Sequence, residues 1–173
     1  MLRITFDGLC RNSNLVNAAG PAAWAWVAEE DSREVATNSG ILPRAPGVNQ
    51  ITSTYAAALS ALEYVTARGN SYALQRRRTG VHAELSSSSQ VVVDLLKGRN
   101  RCESETLLPW YQQGETAKKA VTMPVVFSWR SGGVSGRIRE ICERVLAGLK
   151  QREQDAEERA SMKVEFDAGV NPR

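Results

Sequence analysis

Leu2-Arg3-Ile4-Thr5-Phe6-Asp7-Gly8, at the start of the chain, is the stretch whose reading decides the rest. Ile4 and Phe6 alternate with Arg3 and Thr5, and Gly8 follows at once, the pattern of a short strand ending in a turn. Asp7 closes that strand. A carboxylate at the end of a buried strand is costly unless water, hydrogen bonds or a cation satisfy it. Asp7 is therefore either a turn-starting residue or part of a site, and the choice depends on what the chain brings beside it.

Past Gly8, a polar loop leads to Gly20-Pro21 and a second strand over Ala22–Ala28. The acidic link Glu29-Glu30-Asp31-Ser32 makes Arg33–Leu42 its hairpin partner. After Pro43, Pro46 and Gly47, the apolar residues Tyr55, Ala58, Leu59, Leu62 and Val65 recur at helical spacing. They predict a helix over Thr52–Ala67, capped by Ser53 or Thr54 and stopped by Gly69-Asn70. Arg76-Arg77-Arg78 makes a basic loop, either a solvated turn or a phosphate contact. Val81–Leu85 reads as a fourth strand, and Ser86–Ser89 as a turn capping a helix over Gln90–Lys97 that Gly98 ends. A short helix follows at Thr106–Tyr111, then a fifth strand at Val121–Trp129 with Val125, Val126 and Phe127 buried. Ile138, Ile141, Cys142, Val145, Leu146 and Leu149 mark a last amphipathic helix. Beyond it the pattern fades into charge, which divides the chain into a domain over 1–152 and a charged helix end with a mobile tail over 153–173. Three strands followed by strand–helix alternation predict an α/β fold. Its five-stranded mixed sheet joins a three-stranded antiparallel meander to two parallel strands, with helices on both faces.

Composition narrows the function classes. The chain has 173 residues, 42% of them apolar and 24% charged, which suits one globular domain with an ordinary core. It holds no apolar run of about eighteen residues and no signal-peptide pattern, so the expectation is an intracellular protein, cytoplasmic or organellar, without membrane contact. Cys10, Cys102 and Cys142 are odd in number and lack metal-like spacing, and His82 is the only histidine. Reduced thiols are expected, and a Cys/His zinc site is not. A net charge of +3 permits nucleic-acid contact without demanding it.

Four segments in order resemble the ribonuclease H family. Thr5-Phe6-Asp7-Gly8 is similar to its first strand with the leading catalytic Asp. Gly20-Pro21-Ala22-Ala23-Trp24-Ala25-Trp26-Val27 is similar to its Gly-Pro-x-Gly-Trp second strand. Ser53-Thr54-Tyr55-Ala56-Ala57-Ala58-Leu59-Ser60-Ala61-Leu62 stands where the family has Thr-Asn-Asn-x-Ala-Glu-Leu-x-Ala-Leu. Ser88-Ser89-Gln90-Val91-Val92-Val93 stands where it has Asp-Ser-Gln and a valine-rich helix. The resemblance covers roughly residues 2 to 150.

It implies an enzyme that cuts the RNA strand of an RNA–DNA hybrid with two magnesium ions held by carboxylates, because hard divalent cations want oxygen ligands. Of those carboxylates Asp7 remains, while Ala58 and Ser88 occupy the positions of the family's Glu and second Asp. Opposite the family's His-x-Gly and final Asp stands Trp129 to Glu140, with no histidine. Glu140 matches the last carboxylate in one register, and Arg139 does in the other. Glu84 and Asp94 fall off the matched positions. The resemblance therefore implies a catalytically degenerate member with Asp7 as remnant and no cofactor, magnesium entering only if the site is rebuilt.

Three functions compete. The first is a nucleic-acid-binding module for RNA or an RNA–DNA hybrid. Arg76, Arg77, Arg78, Lys97, Arg99, Arg101, Lys118 and Lys119 would take phosphates, and Trp110 with Tyr111 would either stack on a sugar or base or pack in the core. The second is a structural subunit with protein partners in a polymerase or ribonucleoprotein assembly. The third is an active metal-dependent endonuclease with an atypical carboxylate site.

Overall fold

A computed structural model describes residues 1–11, 20–74 and 81–169, together with their side chains except those of 72–74 and 160–169. In chain order the elements are β1 (Leu2–Cys10), β2 (Ala22–Glu30), β3 (Arg33–Leu42), α1 (Gln50–Leu74), β4 (Ala83–Ser87), α2 (Gln90–Leu96), α3 (Leu108–Ala120), β5 (Val125–Trp129) and α4 (Gly136–Gly169). The strands form one sheet in the order β3-β2-β1-β4-β5. β1–β2 and β2–β3 are antiparallel, while β1–β4 and β4–β5 are parallel. This is the mixed α/β sheet that the strand pattern implies. Asp31 and Ser32 take positive φ (50° and 63°), giving the left-handed two-residue turn that matches strand twist in the β2–β3 hairpin.

The period-two alternation of β1 assigns its faces. Leu2, Ile4 and Phe6 join Trp26, Ala28 and Leu85 beneath α1 and α2, where Tyr55, Ala58, Leu62, Val65, Val92 and Leu96 complete the larger core. On the opposite face Ala23, Ala25 and Val27 take Ile138, Ile141, Cys142 and Leu146 of α4. Helices therefore cover both faces, but α4 touches only β1, β2 and β3. Among the described residues, no helix covers the side of β4 and β5 facing away from α1.

Several boundaries depart from the sequence pattern. α1 starts earlier than Thr52, because Asn49 is its cap: Asn49 Oδ1 accepts from the amides of Ile51 and Thr52, and Thr52 Oγ1 accepts from Asn49 N. The hydroxyls of Ser53 and Thr54 instead donate back to Gln50 O inside the helix. α1 also runs through Gly69-Asn70 to Leu74. Gly69 marks a close approach and not a stop, since a Cβ there would lie 2.8 Å from Thr122 Oγ1. α3 is longer than the helix read at Thr106–Tyr111, and its Gly114 faces Tyr55, with room for no Cβ (2.8 Å to Tyr55 Cε1). β5 begins at Val125, and its run is not continuously buried: Val125 and Phe127 pack on the core while Val126 is 54% exposed. α4 continues past Leu149, where the apolar repeat stops, through 164–169 of the expected tail. The residues 170–173 and Arg76-Arg77-Arg78 lie outside those described. No helix among the described residues is long and apolar enough to cross a membrane. Cys10, Cys102 and Cys142 are free thiols.

Candidate functional site

Three parallel strands, β1, β4 and β5, point their C-terminal ends the same way. Crevices at such ends, where the strand order reverses, are the usual place for ligands in open α/β sheets. Asp7 sits there, paired across the sheet with Ala25 and only 1% exposed. Its neighbour Gly8 lets α1 dock closely. A Cβ at Gly8 would fall 2.2 Å from Ser53 Oγ and 2.5 Å from Thr54 N. In its absence Gly8 N donates to Thr54 Oγ1 (3.1 Å) and Gly8 O accepts from Gln50 Nε2 (2.9 Å).

The carboxylate of Asp7 is satisfied by protein groups. Its Oδ1 accepts from Ser87 Oγ (2.7 Å), Ser88 Oγ (3.0 Å) and Ser88 N (3.1 Å). Its Oδ2 lies 3.4 Å from Ser88 N and 3.9 Å from Arg130 Nη2. Ser87 is held in turn, accepting from Ser89 N, while Ser89 caps α2. Burial pushes the Asp7 carboxyl above its usual value, and the bonds from Ser87 and Ser88 and the charge of Arg130 pull it only part of the way back. Burial, with the Asp7 and Glu143 charges adding to it, pushes the Cys142 thiol on α4 up to about 12.

The expected partners of Asp7 divide. Ser88 is at the carboxylate, as a hydroxyl donor where the resemblance implies a second carboxylate. Ala58 is fully buried among core side chains and offers no oxygen. Glu140 is turned outward, 54% exposed and paired with Arg137 and Arg144, so the structure does not bring it to Asp7. Glu84 pairs with Arg3 and accepts from Ser128, and Asp94 pairs with Arg99. No group of three or more His, Cys, Asp or Glu stands close enough to hold a metal among the described residues. Magnesium does not fit this donor set: among the described residues one carboxylate is present, its Oδ1 already accepts from three donors, and a guanidinium stands 3.9 Å from Oδ2, where a cation would neutralise it.

The fold compares directly with solved structures. LC11-RNase H1, solved in complex with an RNA/DNA hybrid, superposes with a TM-score of 0.67 at 17% identity, covering 86% of this chain and 99% of that one. The chain has the ribonuclease H fold. RNase H1 from Halobacterium salinarum NRC-1 gives a TM-score of 0.65 at 22% identity, with 85% and 98% covered. The N-terminal RNase H domain of a Mycobacterium tuberculosis protein gives 0.63 at 16%, with 88% and 99% covered. No family model and no curated protein matches the sequence.

On this ribonuclease H fold one of the basic residues read from the sequence, Lys118, sits where α2 and α3 meet. Lys118 Nζ donates to Leu96 O at the end of α2 and pairs with Glu115, and Arg99 pairs with Asp94. Lys97, Arg101 and Lys119 are exposed nearby in sequence. Trp110 and Tyr111 are half-buried and packed on the core. Ser87, Arg130 and Cys142 escaped the sequence reading as neighbours of Asp7. Ser87 alone had a partial signal: a strand-end carboxylate needs donors, and the serine run Ser86–Ser89 ends the strand parallel to β1, although only the register selects Ser87 within that run.

Proposed function

We propose that the chain is a nucleic-acid-binding module on a ribonuclease H fold, for RNA or an RNA–DNA hybrid, and not a two-metal nuclease. The observation that carries this reading is the engagement of Asp7 by Ser87, Ser88 and Arg130. It occupies Oδ1 and sets a positive charge near Oδ2, beside an Ala58 and a Ser88 that supply no anionic oxygen. Binding draws support from LC11-RNase H1, which shares the fold and is solved with a hybrid. The exposed Lys97, Arg101 and Lys119 supply charge for phosphates, and affinity built on such contacts falls steeply with salt. Such a module needs no cofactor and is suited to work beside protein partners in a larger assembly.

One experiment tests the reading. A labelled RNA–DNA hybrid is incubated with the protein in magnesium and in manganese across a salt series, with Asp7→Asn alongside. Binding that weakens with salt, without cutting, is the expected result. Metal-dependent cutting that Asp7→Asn abolishes would replace the reading with an active endonuclease on an atypical site. Neither binding nor cutting would leave a structural subunit.

A further inference from the structure

Because α4 stops at β1, the bare face of β4 and β5 forms a polar trough of about 360 Å³. Arg3 and Thr5 of β1, Glu29 of β2, Glu84 and Ser86 of β4 and Ser128 of β5 line it, with Trp129 and Arg130 at the end nearest Asp7 and Glu29 at the end near Arg3. The volume is within the range of small-molecule sites.

Two features at that end are unexplained by folding. Arg130 Nε and Nη2 are buried and make no hydrogen bond among the described residues, Asp7 Oδ2 lying 3.9 Å from Nη2, while the side chain as a whole is 40% exposed. Buried unsatisfied donors of this kind commonly signal a missing ion or water. Beside it Trp129 leaves its side chain 49% exposed, although its ring is the largest apolar group on β5, and it is fixed by Nε1 donating to Ser88 O (3.1 Å). A guanidinium with spare donors next to a tethered, half-open indole offers an anion contact and a stacking platform together.

The rest of the trough has complementary polarity. Thr5 and Ser86 share a long contact (3.4 Å), and Ser128 donates to Glu84 Oε1 (3.0 Å), so Glu84 leans toward the middle of the trough. Its carboxylate keeps lone pairs for further donors even with Arg3 at 3.7 Å. Ser128 lies two residues before Arg130, a spacing of roughly 7 Å along a strand. An anion at one end, hydroxyl donors about that far away and the indole of Trp129 at the rim describe a nucleotide.

We propose that this trough binds one unpaired nucleoside monophosphate unit, free or within a single strand. Its phosphate would lie on Arg130, its base on Trp129 and its ribose hydroxyls toward Glu84 and Ser128. The choice of ligand rests on the nucleic-acid reading above, but the site is separate from any hybrid-binding surface at α2 and α3.

Calorimetric titration of the full chain with AMP, inorganic phosphate and a six-nucleotide oligoadenylate tests the proposal. AMP is expected to bind at least tenfold more tightly than phosphate. Trp129→Leu and Arg130→Gln should each weaken AMP at least tenfold. Ser128→Phe, which fills the trough without altering Arg130, should abolish binding while circular dichroism reports an intact fold. Oligoadenylate competing with AMP assigns the unit to a strand, and AMP binding alone assigns it to the free nucleotide; either supports the site. AMP no tighter than phosphate, or AMP affinity unmoved by Ser128→Phe, overturns it. Wild-type AMP binding with neither hybrid nor oligoadenylate binding would defeat the function above and leave the trough standing, whereas hybrid binding without AMP binding would defeat the trough alone.

Discussion

Replacing Asp7 by alanine separates a carboxylate held by its own protein from one awaiting a metal. Alanine strands Ser87 Oγ, Ser88 Oγ and Ser88 N, which now donate to Oδ1, and leaves Arg130 without its counter-ion. A stranded donor costs about 1–3 kcal/mol when buried. Ser87 is fully buried, whereas Ser88 and the outer part of the Arg130 side chain reach solvent, which discounts their share even though Arg130 Nη2 itself is buried. The burial cost that raises the Asp7 carboxyl is recovered on its removal and offsets part of the loss. The net expectation is a destabilisation of about 2–3 kcal/mol, or roughly 4–12 °C in Tm for a chain of this size. Asp7→Asn keeps the Oδ1 acceptor and should stay within about 1 kcal/mol of wild type. Urea unfolding of the three proteins at neutral pH measures both differences. If Asp7→Ala is as stable as wild type or more so, the carboxylate is a strained, unpaired charge, and the account of a satisfied site is refuted.

The pH dependence follows from the same group. With its folded value raised above 3.8, Asp7 favours the folded state while protonated, a contribution complete below that value and lost as pH rises through the raised one. The stability of Asp7→Asn relative to wild type should therefore grow from pH 3 toward neutrality, and denaturant titrations showing the reverse slope would contradict it. Tyr55 is fully buried and its hydroxyl has no hydrogen-bond partner among the described residues, so Tyr55→Phe should gain up to about 1 kcal/mol in thermal unfolding. Gly8→Ala should cost more than about 3 kcal/mol, since its Cβ meets the backbone of Thr54, and a soluble, equally stable variant would deny the close docking of α1 on β1. Replacing Lys97, Arg101 and Lys119 together by glutamine should flatten the salt dependence of hybrid binding by about one unit of slope for each phosphate no longer neutralised, while leaving thermal stability unchanged.

The sequence made the fold legible through its alternation and its order. β3 falls on Arg33–Leu42 as read, because charged and turn residues bracket it on both sides. The helix α1 was recognisable but not its ends. Gly69 carries the same letter whether it stops a helix or admits Thr122, and only packing distinguishes the two. Val126 looked buried within an apolar run, yet β5 is an edge strand with one uncovered face, a property of how far α4 reaches and not of β5 itself. At the site, Asp7 and Ser88 were legible through the resemblance. The roles of Ser87 and Arg130 depend on strand register between segments far apart in the chain, which local pattern does not encode. Glu140 shows the limit from the other side: a single-residue shift along a helix turns a side chain by about 100°, and here Ile138, Ile141 and Cys142 claim the inward face.

The bond from Ser87 to Asp7 joins residues 80 apart in sequence. Closing so long a loop is an entropic debt that the β2–β3 hairpin and α1, built from near neighbours, do not incur. The clasp should therefore form late on the way to the native state, after the meander and its helix have collapsed. In kinetic terms, substitutions at Asp7 or Ser87 would speed unfolding and leave the refolding limb of a chevron almost unmoved, while core substitutions in α1 would slow refolding. The ends of β1, β4 and β5 would then be the first part of the molecule to open, and slow amide exchange at Ser88 would show otherwise.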